Sequence, residues 1–78
     1  MSPLLPSLTA KDLIKVVRKC GFYFIRQKGS HQIWKHPDGR WTTIPVHPGE
    51  NIGRGLLRKI LNDLEISPRE FLRLLKKK

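Results

Sequence analysis

A chain of 78 residues is one domain, near the lower limit of what folds without a disulfide or metal staple. A single cysteine excludes an internal disulfide, and there is neither an apolar run long enough to span a membrane nor a secretion-signal plan, so a cytoplasmic location is expected. Sixteen Lys and Arg against six Asp and Glu give a formal net charge of +10, which points to an acidic partner, nucleic acid first and an acidic protein second.

Positions 1–8 carry prolines and read as a flexible lead-in, 9–75 as a single domain and 76–78 as a basic tail. Thr9 and Asp12 have the spacing of a capping box, and Leu8 and Leu13 that of a hydrophobic staple, so a helix is predicted to start there. Ala10, Leu13, Ile14, Val17 and Cys20 recur at helical spacing opposite Lys11, Lys15, Arg18 and Lys19, and Gly21 ends the run. Cys20 is expected to be a packed thiol. Strand-like runs at 22–28, 31–36 and 40–46 follow, joined by Gly29-Ser30 and Pro37-Asp38-Gly39, lengths that favour antiparallel hairpins. A second helix at about 53–64 buries Leu56, Leu57, Ile60, Leu61 and Leu64. Ser67-Pro68-Arg69-Glu70 starts a short third helix with Phe71, Leu72, Leu74 and Leu75 on its apolar side. The order is that of an α+β domain, α-β-β-β-α with a short C-terminal helix, its three-stranded antiparallel sheet covered by helices on one face.

Loop length sets which residues oppose one another, and opposed residues share a face. A two-residue Gly29-Ser30 loop opposes Lys28 to His31, Arg26 to Ile33 and Phe24 to Lys35. A three-residue Pro37-Asp38-Gly39 loop opposes His36 to Arg40, Ile33 to Thr43 and His31 to Pro45. Tyr23, Ile25, Gln27, Gln32, Trp34, His36, Arg40, Thr42, Ile44 and Val46 then form the covered face. Phe24, Arg26, Lys28, His31, Ile33, Lys35, Trp41, Thr43 and Pro45 form the open one, with His47 just beyond. A bulge in either hairpin would exchange the faces.

The open face combines cations with rings, a pairing suited to single-stranded RNA, although Trp41 and Ile33 packing together or against a partner is an equally simple use of it. The candidate RNA-binding residues are Arg26, Lys28, Ser30, Lys35, Trp41, Arg54 and Arg58. The same register sets His47 diagonal to His31, about 7–8 Å apart on neighbouring strands. Attack by a ribose 2′-hydroxyl needs one group to take its proton and another to protonate the leaving oxygen, roles that His31 and His47 can fill. Strand parity turns His36 to the other face, which argues against a shared zinc site, and no acidic pair is available for magnesium. No metal or small-molecule cofactor is expected. A Ser30/His31 hydrolase fails on geometry, since adjacent strand residues diverge.

Phe22, Arg26-Gln27-Lys28-Gly29-Ser30-His31, Lys35-His36-Pro37-Asp38-Gly39-Arg40, Thr42-Thr43-Ile44-Pro45-Val46-His47 and Gly55-Leu56-Leu57-Arg58-Lys59-Ile60-Leu61 together resemble the HicA family of toxins. The resemblance implies a fold like the double-stranded-RNA-binding domain and an endoribonuclease that cleaves mRNA and halts translation. It also implies that the histidine of the Gly-Ser-His motif, here His31, is the functional residue, and that a HicB-type antitoxin neutralises the protein. The chain departs from the family pattern at Glu65, where relatives carry a glycine, and at the bulkier Trp34 and Trp41; none of these touches the motif. The family supplies no second catalytic group, so His47 rests on the register alone. A non-catalytic module for duplex RNA and a basic domain that only docks a protein are the competing expectations.

Overall fold

The capping box forms as the sequence predicts. Thr9 Oγ1 accepts from the Asp12 backbone N–H at 3.4 Å and Asp12 Oδ2 accepts from the Thr9 N–H at 3.4 Å, opening helix α1, Ala10–Lys19. The helix stops where Gly21, at φ 92°, lets its own N–H reach the Arg18 carbonyl and that of Phe22 reach Val17, closing a Schellman motif. The computed structural model, which describes Leu5 and residues 7–76, continues with strands β1, Tyr23–Lys28, β2, His31–Lys35, and β3, Trp41–Pro45. Helices α2, Arg54–Leu64, and α3, Pro68–Lys76, complete the chain. The strands form one antiparallel sheet in the order β1-β2-β3, the α+β layout expected from the sequence.

Both hairpin loops have the expected lengths. Gly29 takes φ 60° and Ser30 does not, as a two-residue loop with glycine at its first central position requires. Gly39 takes φ 103° in the second loop, whose ends are tied by the His36 N–H to the Arg40 carbonyl at 2.8 Å. Lys28 opposes His31, Arg26 opposes Ile33, His31 opposes Pro45, Ile33 opposes Thr43 and Lys35 opposes Trp41.

One part of the register is corrected. The pairing shifts between Phe24 and Arg26, so that Phe24 opposes Trp34 and Tyr23 opposes Lys35. Ile25 is the extra residue of a β-bulge, standing with Arg26 across from Ile33. Phe24 therefore leaves the open face and meets Trp34 edge to face, with ring centroids 5.6 Å apart, while Tyr23 and Ile25 move the other way. The physical gain is an aromatic pair on the nearly buried Trp34, worth about 0.5–1.5 kcal/mol beyond area burial.

The core gathers Leu13, Val16, Val17, Trp34, Ile44, Leu57, Ile60, Leu61, Leu64 and Phe71 between the helices and one face of the sheet. Thr42, also buried there, donates to Asp63 Oδ2 on α2 at 3.0 Å and so carries no unpaired hydroxyl. The core also reaches further towards the N-terminus than the lead-in reading allowed. Leu5 and Leu8 are buried in it, and the Leu8 carbonyl accepts from the Ile52 N–H at 2.7 Å. Leu5, in a proline-bearing stretch, gave no periodic signal, whereas Leu8 had the staple spacing with Leu13. Lys76, read as the first residue of the tail, is the last of α3. Positions 1–4 and 6 of the lead-in, and 77 and 78 of the tail, lie outside the described residues.

Helix α2 ends in a second Schellman motif, with the Glu65 N–H on the Asn62 carbonyl and the Ile66 N–H on that of Leu61. The residue at its left-handed position is Glu65, at φ 57°, where glycine is the natural occupant. A side chain pays roughly 1–2 kcal/mol there, and glycine returns about 0.4–1 kcal/mol of that through the unfolded chain. Glu65→Gly is expected to raise stability by about 0.5–1 kcal/mol, read as a higher urea midpoint at unchanged slope. An unchanged or lower midpoint would show that the Glu65 side chain contributes something that offsets the backbone strain.

Candidate functional site

His31 opens β2 directly after the Gly29-Ser30 turn, and its side chain is exposed. The turn is held on both sides. Gln27 Nε2 donates to the Gly29 carbonyl at 2.9 Å, and the Val46 N–H donates to the Ser30 carbonyl at 2.6 Å. Gln27 Oε1 in turn accepts from Gln32 Nε2 at 3.1 Å, and Gln32 Oε1 accepts from the buried Trp34 indole N–H at 3.1 Å. A chain of amides thus links the core to the turn that presents His31. This link was missed from the sequence, although the opposed pair Gln27 and Gln32 was its visible trace.

Strand alternation places His31, Ile33 and Lys35 on the open face, together with their opposed partners Lys28, Arg26, Thr43, Pro45 and Trp41. The strands contain no acid, and among the described residues Arg26, Lys28 and Lys35 have no carboxylate partner within ion-pair distance. The face is therefore a positive field around an exposed imidazole. Ser30 lies in the turn beside it, half buried.

His47 is exposed in the loop after β3, and the clefts it lines are bounded by the starts of the helices. One contains Pro45, Glu50, Asn51, Gly53 and Leu56, the other Thr9, Ala10 and Lys11. Pro45, which opposes His31, is the residue common to the sheet and the first of these clefts. Arg54 opens α2 next to Gly53, and Arg58 is exposed one turn later. They belong to the helical layer, not to the open face.

His36 sits on the covered side, edge to face with Phe22 at 5.1 Å. Its Nδ1 lies 3.1 Å from the Asp38 backbone N–H and 3.0 Å from Asp38 Oδ1, so the neutral ring accepts from the amide and the protonated ring pairs with the carboxylate. Arg40 stacks over Phe22, pairs through Nε with Asp38 Oδ2 at 2.8 Å and donates to the Leu64 carbonyl at the end of α2. This cluster is structural. Partial burial pushes the Cys20 thiol up, outweighing the nearby Arg40 charge that lowers it, as befits a packed and unreactive thiol. Among the described residues no three His, Cys, Asp or Glu side chains gather as metal ligands, and no helix is long and apolar enough to cross a membrane.

The class defined by this fold and surface is a small basic α+β domain with one face of its sheet left open. The family model for the HicA toxin of bacterial toxin-antitoxin pairs matches residues 10–66, well over half of the chain, and the chain belongs to that family. It is thus the toxin of a toxin–antitoxin pair, a class whose members have an antitoxin as partner. No curated protein matches the chain.

The Asp38 carboxyl is held below the usual aspartate range, first by the Arg40 backbone N–H on Oδ1 at 3.0 Å and then by the Arg40 guanidinium. A carboxyl depressed in the folded state stabilises the fold above its unfolded pKa and loses that contribution as pH falls through the folded value. The difference in Tm between the wild type and Asp38→Asn is expected to be largest near pH 7 and to shrink below about pH 4. A difference that stays constant across thermal melts from about pH 7 to about pH 2 would assign the effect to the amide's shape and not to charge.

Proposed function

We propose that the protein is a metal-independent endoribonuclease that cleaves single-stranded mRNA, with His31 as its catalytic residue. The observation that carries this reading is the exposed His31 imidazole on the open face, opposite Lys28 and among Arg26 and Lys35, in a chain of the HicA family. Imidazole exchanges protons near neutrality, and the surrounding cations attract and orient a polyanion.

In the proposed reaction His31 takes the proton of a ribose 2′-hydroxyl, whose oxygen attacks the adjacent phosphorus. The bond from phosphorus to the 5′-oxygen breaks, leaving a 2′,3′-cyclic phosphate on one product, and an acid protonates the departing oxygen to give a 5′-hydroxyl on the other. Lys28 and Arg26 stabilise the charge that builds on the phosphoryl oxygens. His47 is the proposed acid, reached along the strand through Pro45, and Ser30, Lys35 and Trp41 contact the RNA. The toxin would act in the cytoplasm and be neutralised by a HicB-type antitoxin covering this face. The exposed Arg54 and Arg58 on α2 favour one competing reading, a duplex-binding module that uses its helices and leaves the RNA intact.

His31→Ala is expected to lower EDTA-resistant cleavage of single-stranded RNA by about 10²–10⁴-fold with an unchanged Tm; equal cleavage by the two proteins would remove His31 from the mechanism. For His47→Ala the expectation is lost turnover at retained RNA affinity, measured by single-turnover kinetics alongside filter binding. Wild-type turnover in that variant would end the assignment of His47 as the acid.

A further inference from the structure

The open face carries a feature that bond cleavage at His31 does not require. The bulge that puts Ile25 beside Arg26 creates a groove of about 480 Å³ lined by Ile25, Arg26, Ile33, Lys35 and Trp41. That volume falls within the roughly 300–1,000 Å³ of small-molecule sites. Its long wall is Trp41, which is 57% exposed although it is a large apolar side chain in a chain with little apolar material to spare. The other tryptophan, Trp34, is 2% exposed and has its indole N–H satisfied by Gln32.

We propose that this groove is a subsite for one unpaired nucleobase of the RNA strand, stacked on the Trp41 indole and resting on Ile25 and Ile33. The phosphates on either side of that base lie against Arg26 and Lys35. Three observations favour a nucleotide over a protein segment as the occupant. Apolar and aromatic side chains form the floor and wall, as a base face needs; cations without carboxylate partners flank them, as its phosphates need; and the groove shares its face with His31. His31 and Lys35 are four positions apart on β2, about 13 Å at the rise of a strand. The base in the groove is therefore displaced along the strand from the scissile bond; Trp41, Ile25 and Lys35 position the substrate away from the reacting atoms, and Arg26, opposite Ile33, stands between the groove and the scissile phosphate. A duplex keeps both faces of its bases stacked, so the groove selects single strands. The orientation relative to His31 rests on the ribonuclease reading above; occupancy of the groove does not.

A 2′-O-methyl oligonucleotide tests this with the wild-type protein, because it lacks the attacking hydroxyl and stays intact whichever residue is catalytic. It is expected to quench and protect from iodide the emission of the exposed tryptophan, whereas the same sequence as a duplex leaves that emission unchanged. Trp41→Ala is expected to weaken oligonucleotide binding about tenfold and Trp41→Phe much less, since a smaller ring still stacks. Arg26→Gln and Lys35→Gln are each expected to reduce the salt slope of single-strand binding by about 0.7. Circular dichroism and Tm of each variant check that the fold is retained. Binding without quenching, or Trp41→Ala binding as the wild type does, overturns the subsite. So does a Trp41→Ala protein that fails to bind its antitoxin but keeps its oligonucleotide affinity, which would assign the groove to a protein partner. Quenching in a protein that cleaves no RNA would remove the catalytic reading and leave the subsite standing, and cleavage without quenching would do the reverse.

Discussion

The geometry of the open face depends on the Gly29-Ser30 turn. A strand shows alternate faces with period two, so a slip of β2 by one residue against β1 would send His31 under the helices, away from Lys28, and bring Gln32 and Trp34 into solvent. The slip is opposed by Gly29, whose φ of 60° fits the two-residue loop, and by the hydrogen bonds to the Gly29 and Ser30 carbonyls from Gln27 and Val46. The amide chain from Gln27 through Gln32 to Trp34 adds a penalty of a different kind. Misplacing it would leave a buried indole N–H unpaired, at about 1–3 kcal/mol. Packing of the core and presentation of the imidazole are thus one constraint seen from two sides of the sheet.

A second tie holds the other end of the sheet to the helices. Arg40 lies over Phe22, pairs with Asp38 and donates to the last carbonyl of α2, so one guanidinium joins the β2–β3 loop to the end of a helix. It answers two needs at once: a helix C-terminus favours positive charge, and its last carbonyls lack partners within the helix. Asp63, near the same end, accepts from Thr42 and from Lys59, which fastens β3 to α2. With these ends secured, the sheet needs no second helical layer to keep its shape.

Much of this was legible in the sequence because it is local. The Thr9–Asp12 capping box, the Gly21 stop, both hairpin loops and the Ser67 cap each lie within a few residues, where spacing alone specifies the geometry. The β2–β3 register follows from the three-residue loop and held along its whole length. The β1–β2 register failed past Arg26, because a bulge is decided by what the strand gains elsewhere, here the packing of Phe24 on Trp34. Leu5 in the core was hidden for the same reason, being settled by tertiary contacts. At the candidate site the neighbours of His31 were legible through strand parity. The surroundings of His47 were not, since a loop folded against two helix starts has no period to read.

The size of the chain explains why a face is left open at all. A domain of 78 residues has apolar material for one packed layer, and its helices spend that material on the side of Trp34, Thr42 and Ile44. Exposed strands carrying Tyr23, Ile25 and Trp41 would ordinarily invite edge pairing and aggregation. Arg26, Lys28 and Lys35 oppose this by mutual repulsion between copies, and the bulge at Ile25 distorts the outer strand that a second copy would have to match. The charges that keep the face from its own kind are those that draw a polyanion to it, so solubility and recognition place the same demand on the same side chains. Acidic substitutions on this face would relieve the self-repulsion and weaken nucleic-acid binding together, whereas the acids the chain does carry stand in helices and loops, clear of the sheet.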